Sequence, residues 1–168
     1  MKPSVGIIMG SDSDLPIMLE AVKVLKKFGV THEVEVCSAH RSPARTAEYA
    51  RTAGERGLRV IIAAAGAAAH LAGVIAAETT LPVIGVPIDS SPLKGFDALL
   101  ATVQMPPGVP VATMAVGKSG ATNAALFAIQ ILATCDDELA VRMEEHKKNL
   151  VKGVAEKNRR AQGQLQVE

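Results

Sequence analysis

Short apolar runs alternate with longer amphipathic or small-residue stretches along this chain, and each run breaks abruptly into small or polar residues. Val5-Gly6-Ile7-Ile8-Met9 is apolar throughout, the pattern of a strand covered on both faces. Gly10-Ser11-Asp12-Ser13-Asp14 follows, and a helix is predicted from about Leu15 to Phe28, with Pro16 tolerated in its first turn. His32 to Cys37 alternates as a second strand and runs into Ser38-Ala39-His40-Arg41-Ser42-Pro43. Ser42 and Pro43 read as the cap and first residue of a helix reaching Arg56, with Gly57 placed to end it. Val60 to Ala63 is a third strand, opening into an Ala/Gly run that carries His70, then a small-residue helix to about Glu78. Val83 to Pro87 is the fourth strand, followed by a short helix from Phe96 to Val103. Val111 to Val116 is the fifth strand, ended by Gly117 to Gly120. A helix from Ala121 to Ala133 is apolar nearly all round, which predicts burial on every side and hence another subunit. A charged C-terminal helix is expected from Asp136 to Arg160, with Gln162 to Glu168 frayed.

Five strand-helix alternations predict an α/β fold, with a five-stranded parallel sheet and helices on both faces. At 168 residues the chain is expected to be a single domain, 1–168, with a core over about 4–135 and the C-terminal helix beyond it. Ligands of such sheets bind beyond the carboxyl ends of the strands. All the polar loops leave those ends, so residues distant in sequence should converge on one crevice.

Composition narrows the chemistry. Aromatic residues make up 2% of the chain against 48% hydrophobic, so the core must be built from small aliphatic side chains. A net charge of +1 supplies no broad basic field, and stacking platforms are scarce, which argues against nucleic acid as a partner. Cys37 and Cys135 stand far apart and read as buried or half-buried reduced thiols. No His, Cys, Asp and Glu set has metal-ligand spacing, so no metal is expected. No signal peptide is visible, because the Val5–Met9 run is too short, and no stretch reaches membrane-spanning length without interruption. These features predict a cytoplasmic protein with no membrane partner.

The loop residues suggest a small anionic substrate and proton transfer. His40 and Arg41 place an imidazole beside a guanidinium at a strand end, a proton carrier next to a phosphate or carboxylate clamp. Ser11, Ser13, Asp12 and Asp14 stand where a helix N-terminus could hold a phosphate and a carboxylate could grip ribose hydroxyls. Helix capping is the competing reading, and two aspartates exceed what one cap needs. His70 is either a helix-start histidine bonded to backbone or a second pocket histidine. Small side chains around Gly66 would let backbone amides face a ligand. Gly117-Lys118-Ser119 resembles the end of a P-loop, but the glycine required five residues earlier is Ala112, so that reading is rejected.

Several of these segments together resemble one family. Met9 to Asp14, Ser38 to Pro43, Ala63 to Gly73, Val103-Gln104-Met105-Pro106, Gly108 to Val111 and Gly117 to Leu132 are similar, in the same order, to the small bacterial N5-carboxyaminoimidazole ribonucleotide mutases of purine biosynthesis. The resemblance implies a flavodoxin-like three-layer sandwich, a homo-octamer with sites at subunit junctions, and no cofactor. It implies movement of a carboxylate from the exocyclic nitrogen to carbon 4 of an imidazole ring, through carbon dioxide held in a closed pocket. His40 matches the proton-shuttling histidine, and His70 a second pocket histidine. Ser11, Asp14 and Arg41 match phosphate and ribose ligands, with Ser13 and Ser38 beside them.

Arg41 and Ala69-His70-Leu71 favour the mutases over the related carboxylases, which use free carbon dioxide and usually carry Lys after the histidine. The chain departs from the family pattern at Ala64 and Ala67, where glycine is usual, and at Ala72, Val74 and Ala44. By the family pattern the methyl groups of Ala64 and Ala67 are expected on the loop that closes over the imidazole ring, so that either the loop moves outward or the pocket shrinks, and restoring both glycines would raise turnover more than affinity. Two other functions are compatible with this fold: a carboxylase acting on aminoimidazole ribonucleotide, and a non-catalytic flavin or nucleotide carrier. One Tyr, three Phe and no Trp leave little to stack on an isoalloxazine.

Overall fold

The structure, a computed structural model, describes residues 2–165. Strands β1 (Val5–Met9), β2 (His32–Val36), β3 (Val60–Gly66), β4 (Val83–Ile88) and β5 (Ala112–Thr113) form one parallel sheet in the order β2-β1-β3-β4-β5. That order is the flavodoxin-like one. Helices α1 (Leu15–Lys27), α2 (Pro43–Arg56), α3 (Leu71–Glu78), α4 (Phe96–Val103), α5 (Lys118–Ala133) and α6 (Asp137–Leu165) make up the other elements among the described residues, with a 3₁₀ turn at Asp12–Asp14.

Alternate strand residues feed two cores. Val5, Ile7, Met9, Val60, Ile62, Ala64, Ile84 and Val86 pack under α1, α5 and the start of α6. Ile8, Ile61, Ala63 and Val83 pack under α2 and α3 on the other face. The central strands are therefore covered on both sides, as their unbroken apolar runs require. Gly57 ends α2 at φ 105°, a left-handed conformation that glycine adopts without a Cβ clash. The Asp136 carboxylate accepts from the Leu139 amide at 2.9 Å and starts α6.

Four elements differ by more than one residue from the sequence expectation. β3 continues through Ala64, Ala65 and Gly66 because β4 offers those residues Val86, Pro87 and Ile88 as partners. β5 shrinks to Ala112–Thr113 from the expected Val111–Val116. The Gly85 and Pro87 carbonyls both face β5, accepting from Met114 and Gly117, so the missing Pro87 N–H breaks the ladder on that side. α5 begins at Lys118, directly after Gly117. α6 is helical to Leu165, so 162–165 are not frayed; the rest of that expectation, 166–168, lies outside the described residues.

Two burial expectations also change. α5 is covered on one side by its own chain, which buries Ala121, Ala124, Ala125, Ala128 and Ile129, while Asn123, Phe127 and Gln130 remain exposed. Its apolar composition is largely satisfied within the subunit. Cys37 is buried as expected, but Cys135 is exposed, because it lies in the turn between α5 and α6. No helix among the described residues is long and apolar enough to cross a membrane.

Candidate active site

The loops after β1, β2, β3 and β4 meet over the carboxyl ends of the strands. They line a cleft of about 310 Å³ with Gly10, Ser11, Ser13, Asp14, Ser38, His40, Arg41, Gly66 and Ser90 among its walls. A larger recess of about 660 Å³ opens at the opposite end of the sheet, among Phe28, Leu81, Ile131, Cys135 and Arg142. It holds no histidine and lies away from the strand ends where such sheets bind ligands.

The serine-aspartate loop forms one wall of the cleft over the strand ends. Ser11 Oγ caps the 3₁₀ turn by accepting from the Ser13 amide at 3.3 Å and from Ser13 Oγ at 2.8 Å. Asp14 stands at the N-cap position of α1 but makes no side-chain capping bond, so capping does not account for it. The residue is buried at 4% exposure, and that burial raises its carboxyl above the ordinary range. Hydrogen bonds from Ser13 and the Ser11 region pull the other way, and nearby Asp12 adds to the rise. Its only side-chain hydrogen bond among the described residues is from Ser13 Oγ, at 3.4 Å. A half-satisfied buried carboxylate costs stability, and its one long hydrogen bond leaves acceptor capacity open towards the cleft.

Arg41 is held over the same loop. Its Nη2 donates to the Gly10 carbonyl at 3.2 Å, and its amide donates to Ser38 Oγ at 3.2 Å. Ser42 does not cap α2 with its side chain. Instead Ser42 Oγ accepts from the Ser38 amide at 3.0 Å and donates to the Ser38 carbonyl at 3.1 Å, tying the turn that carries His40 and Arg41.

His40 and His70 join across the cleft. His40 Nε2 lies 2.9 Å from His70 Nδ1, with the rings nearly perpendicular at 82°. One of these nitrogens donates and the other accepts, so the pair shares one proton along that bond. His70 is therefore not spent on backbone at Nδ1. The turn that throws it back is tight: Ala69 N donates to the Ala67 carbonyl and His70 N to the Ala68 carbonyl, at 2.9 and 2.8 Å.

The two departures named above do not line the cleft. Ala64 is fully buried in the core under α1 and α5, and Ala67 is exposed outside the wall formed by Ala65, Gly66 and Ala68. The expectation that both methyl groups narrow the pocket is corrected. Ala67 instead sits at φ 51°, where an alanine costs about 1–2 kcal/mol relative to the right-handed region. Ala67→Gly should stabilise the chain by about 1 kcal/mol, after allowing for glycine's larger unfolded-state freedom, with little change in turnover. A urea midpoint that stays put or falls would show that the turn carries no such strain.

All six binding candidates, Ser11, Ser13, Asp14, Ser38, Arg41 and Gly66, line this one cleft with His40, and His70 reaches it through its bond to His40. Sequence reading placed the Asp89-Ser90-Ser91 loop at the same edge but took no candidate from it, and the structure adds Ser90 to the cleft lining. Ser90 stands two residues past the end of β4, as Ser11 does after β1 and Ser38 after β2. That repeated offset was the available signal. Among the described residues no group of three His, Cys, Asp or Glu is placed to hold a metal ion.

Comparison with known proteins follows the same line. The family described as AIR carboxylase matches residues 4–152. An N5-carboxyaminoimidazole ribonucleotide mutase from Pyrococcus abyssi is 60% identical over 148 residues, covering 88% of this chain and 84% of that one. A phosphoribosylaminoimidazole carboxylase from Saccharomyces cerevisiae is 57% identical over 145 residues, 86% of this chain but 25% of the longer protein. The crystal structure of Treponema denticola PurE superposes with a TM-score of 0.82 at 26% identity, covering 92% of this chain and 95% of that one.

Proposed function

The chain belongs to the AIR carboxylase family, and on that premise we propose that it is an N5-carboxyaminoimidazole ribonucleotide mutase, an isomerase of purine biosynthesis. The observation that carries the reading is the His40–His70 pair, bonded at 2.9 Å and facing the serine, aspartate and arginine groups across one cleft. The carrier reading finds little support, since no Phe, Tyr or Trp lines that cleft.

The chemistry follows from the placement. Arg41, Ser11, Ser13 and Ser38 supply a guanidinium and hydroxyls suited to the 5-phosphate, and Asp14 accepts from ribose hydroxyls. The N–C bond of the carbamate breaks, its electron pair returns to the exocyclic nitrogen, and that nitrogen takes a proton from His40. Carbon 4 then attacks the trapped carbon dioxide with the ring's enamine electrons, and the C4 proton passes to His40. Protons given and taken balance, so His40 finishes as it began. No external base, oxidant or carrier is consumed. His70 holds the tautomer of His40 through the shared bond and acts as a positioning residue.

Purified protein should convert the N5-carboxylated ribonucleotide without added bicarbonate, nucleotide or metal. A requirement for bicarbonate with aminoimidazole ribonucleotide, and no turnover of the N5-carboxylated substrate, would instead make it a carboxylase. The reading extends to a cytoplasmic homo-octamer with sites at subunit junctions, as the resemblance implies. What supports an assembly is the outer face of α4, where Phe96, Leu100 and Val103 recur at helical spacing, 61%, 41% and 48% exposed. Light scattering that returns the 17.5 kDa monomer at micromolar concentration would overturn it.

A further inference from the structure

We propose that Ser90 is the residue that holds the migrating carboxylate, so that the cleft is divided between a phosphate end and a carboxylate end. The proposal rests on the isomerase reading above and adds to it a residue and a subsite.

Position comes first. The phosphate-type donors Ser11, Ser13, Ser38 and Arg41 come from the loops after β1 and β2, at one side of the sheet. Ser90 follows β4, two strand spacings from β1, which is about 10 Å. A ribonucleotide whose phosphate sits over β1 and β2 therefore directs its ring towards β3 and β4. His40 reaches the same place from the β2 loop, since its Nε2 meets His70 at the start of α3.

The surroundings of Ser90 come second. Its hydroxyl lies directly against Gly66 on the last residue of β3. A Cβ built on Gly66 would overlap Ser90 Oγ and fall within 2.9 Å of Ser90 Cβ and 3.2 Å of the Ile88 carbonyl. Gly66 is thus glycine so that the end of β4 can bring this hydroxyl over the end of β3. Ser90 Oγ makes no hydrogen bond among the described residues, whereas its neighbour Ser91 Oγ accepts from the Leu93 amide at 3.1 Å. Of the serines lining the cleft, Ser11, Ser13 and Ser38 are all engaged within the protein. Ser11 and Ser13 give their protons within the protein, whereas Ser38 Oγ only accepts from Arg41, so Ser38 on the β2 side and Ser90 on the β4 side are the cleft hydroxyls left with a proton to give.

The chemistry comes third. In both the carbamate and the product a carboxylate projects from one side of the imidazole ring, and between them stands neutral carbon dioxide. A hydroxyl donor at that side bonds the carboxylate of either end state and keeps the released molecule beside carbon 4. Ser90 takes part in no bond making or breaking.

Binding separates this subsite from the phosphate site. Ser90→Ala should weaken binding of the 4-carboxylated product about tenfold, the worth of a hydrogen bond to a charged group, and leave aminoimidazole ribonucleotide unchanged. Ser90→Cys, similar in size but a poor donor, should follow Ser90→Ala. With the N5-carboxylated substrate, both variants should release more labelled carbon dioxide per product formed than the parent chain. Equal weakening for the carboxylated and decarboxylated ribonucleotides would place the hydroxyl on the ring or ribose and overturn the proposal. So would parent-like binding and release in both variants. A parent protein that fails to turn over the N5-carboxylated substrate would instead refute the isomerase reading, whatever the variants do.

Discussion

His40→Asn should fold, bind ribonucleotide with near-normal affinity, and turn over about two to four orders of magnitude more slowly, the range that a positioned acid-base group contributes. Asparagine keeps the approximate size and a hydrogen bond towards His70 but cannot exchange a proton at neutral pH. The site tolerates the change structurally because His40 is exposed and packs into neither core. The mechanism asks His40 for a proton at the exocyclic nitrogen and returns one from carbon 4, so both half-steps fail together. Single-turnover kinetics with the N5-carboxylated substrate is the decisive measurement. A kcat within a few-fold of the parent would remove His40 from the chemistry. His70→Ala, which breaks only the 2.9 Å bond to His40, should cost less and should alter the pH profile as well as the rate.

The second large effect is expected on binding. Arg41→Ala should weaken aminoimidazole ribonucleotide about tenfold to a hundredfold, corresponding to about 1.5–3 kcal/mol for hydrogen bonds to a charged group. Arg41 is exposed and tied to Gly10 and Ser38 only by hydrogen bonds, so its removal leaves the fold intact. Arg41→Lys should recover part of the loss, because an ammonium supplies charge but not the planar fork that meets two phosphate oxygens. Isothermal titration separates the outcomes: unchanged affinity in Arg41→Ala would place the phosphate elsewhere in the cleft. The same variant should not change kcat at saturation by as much as His40→Asn does, since it acts on binding common to substrate and transition state.

Placing a charge on α5 is a poor probe of assembly. Ala128 is fully buried within its own chain, so Ala128→Glu would break the subunit core before it reported on any partner. A charge at Phe96 on the exposed face of α4 tests the assembly without that confusion.

Local pattern alone determined most of the architecture. Unbroken apolar runs of five or six residues, bounded by polar loops and alternating with helical stretches, read as central parallel strands because they need cover on both faces. Once the strands are parallel, every strand-to-helix loop leaves the same edge of the sheet, so the convergence of Ser11, Ser38 and His40 follows from topology. Gly57 as a helix end was likewise legible, since it depends on a few neighbouring residues. What escaped sequence reading depends on contacts between distant segments. Whether Ala64 belongs to a strand or a loop is decided by β4, which offers Val86 as its partner and buries its methyl. Where β5 ends is decided by the missing N–H of Pro87 on the neighbouring strand. The His40–His70 bond needs the β3–α3 turn to fold back through a left-handed Ala67, a backbone conformation that alanine's own preference argues against. Ser90 acquires its place from Gly66, 24 positions earlier, because only a missing Cβ lets the two strand ends touch. Hydrophobic periodicity is a property of one segment and can be read along the chain, whereas strand ends, ring pairings and close approaches are properties of two, and only the packed sheet sets them.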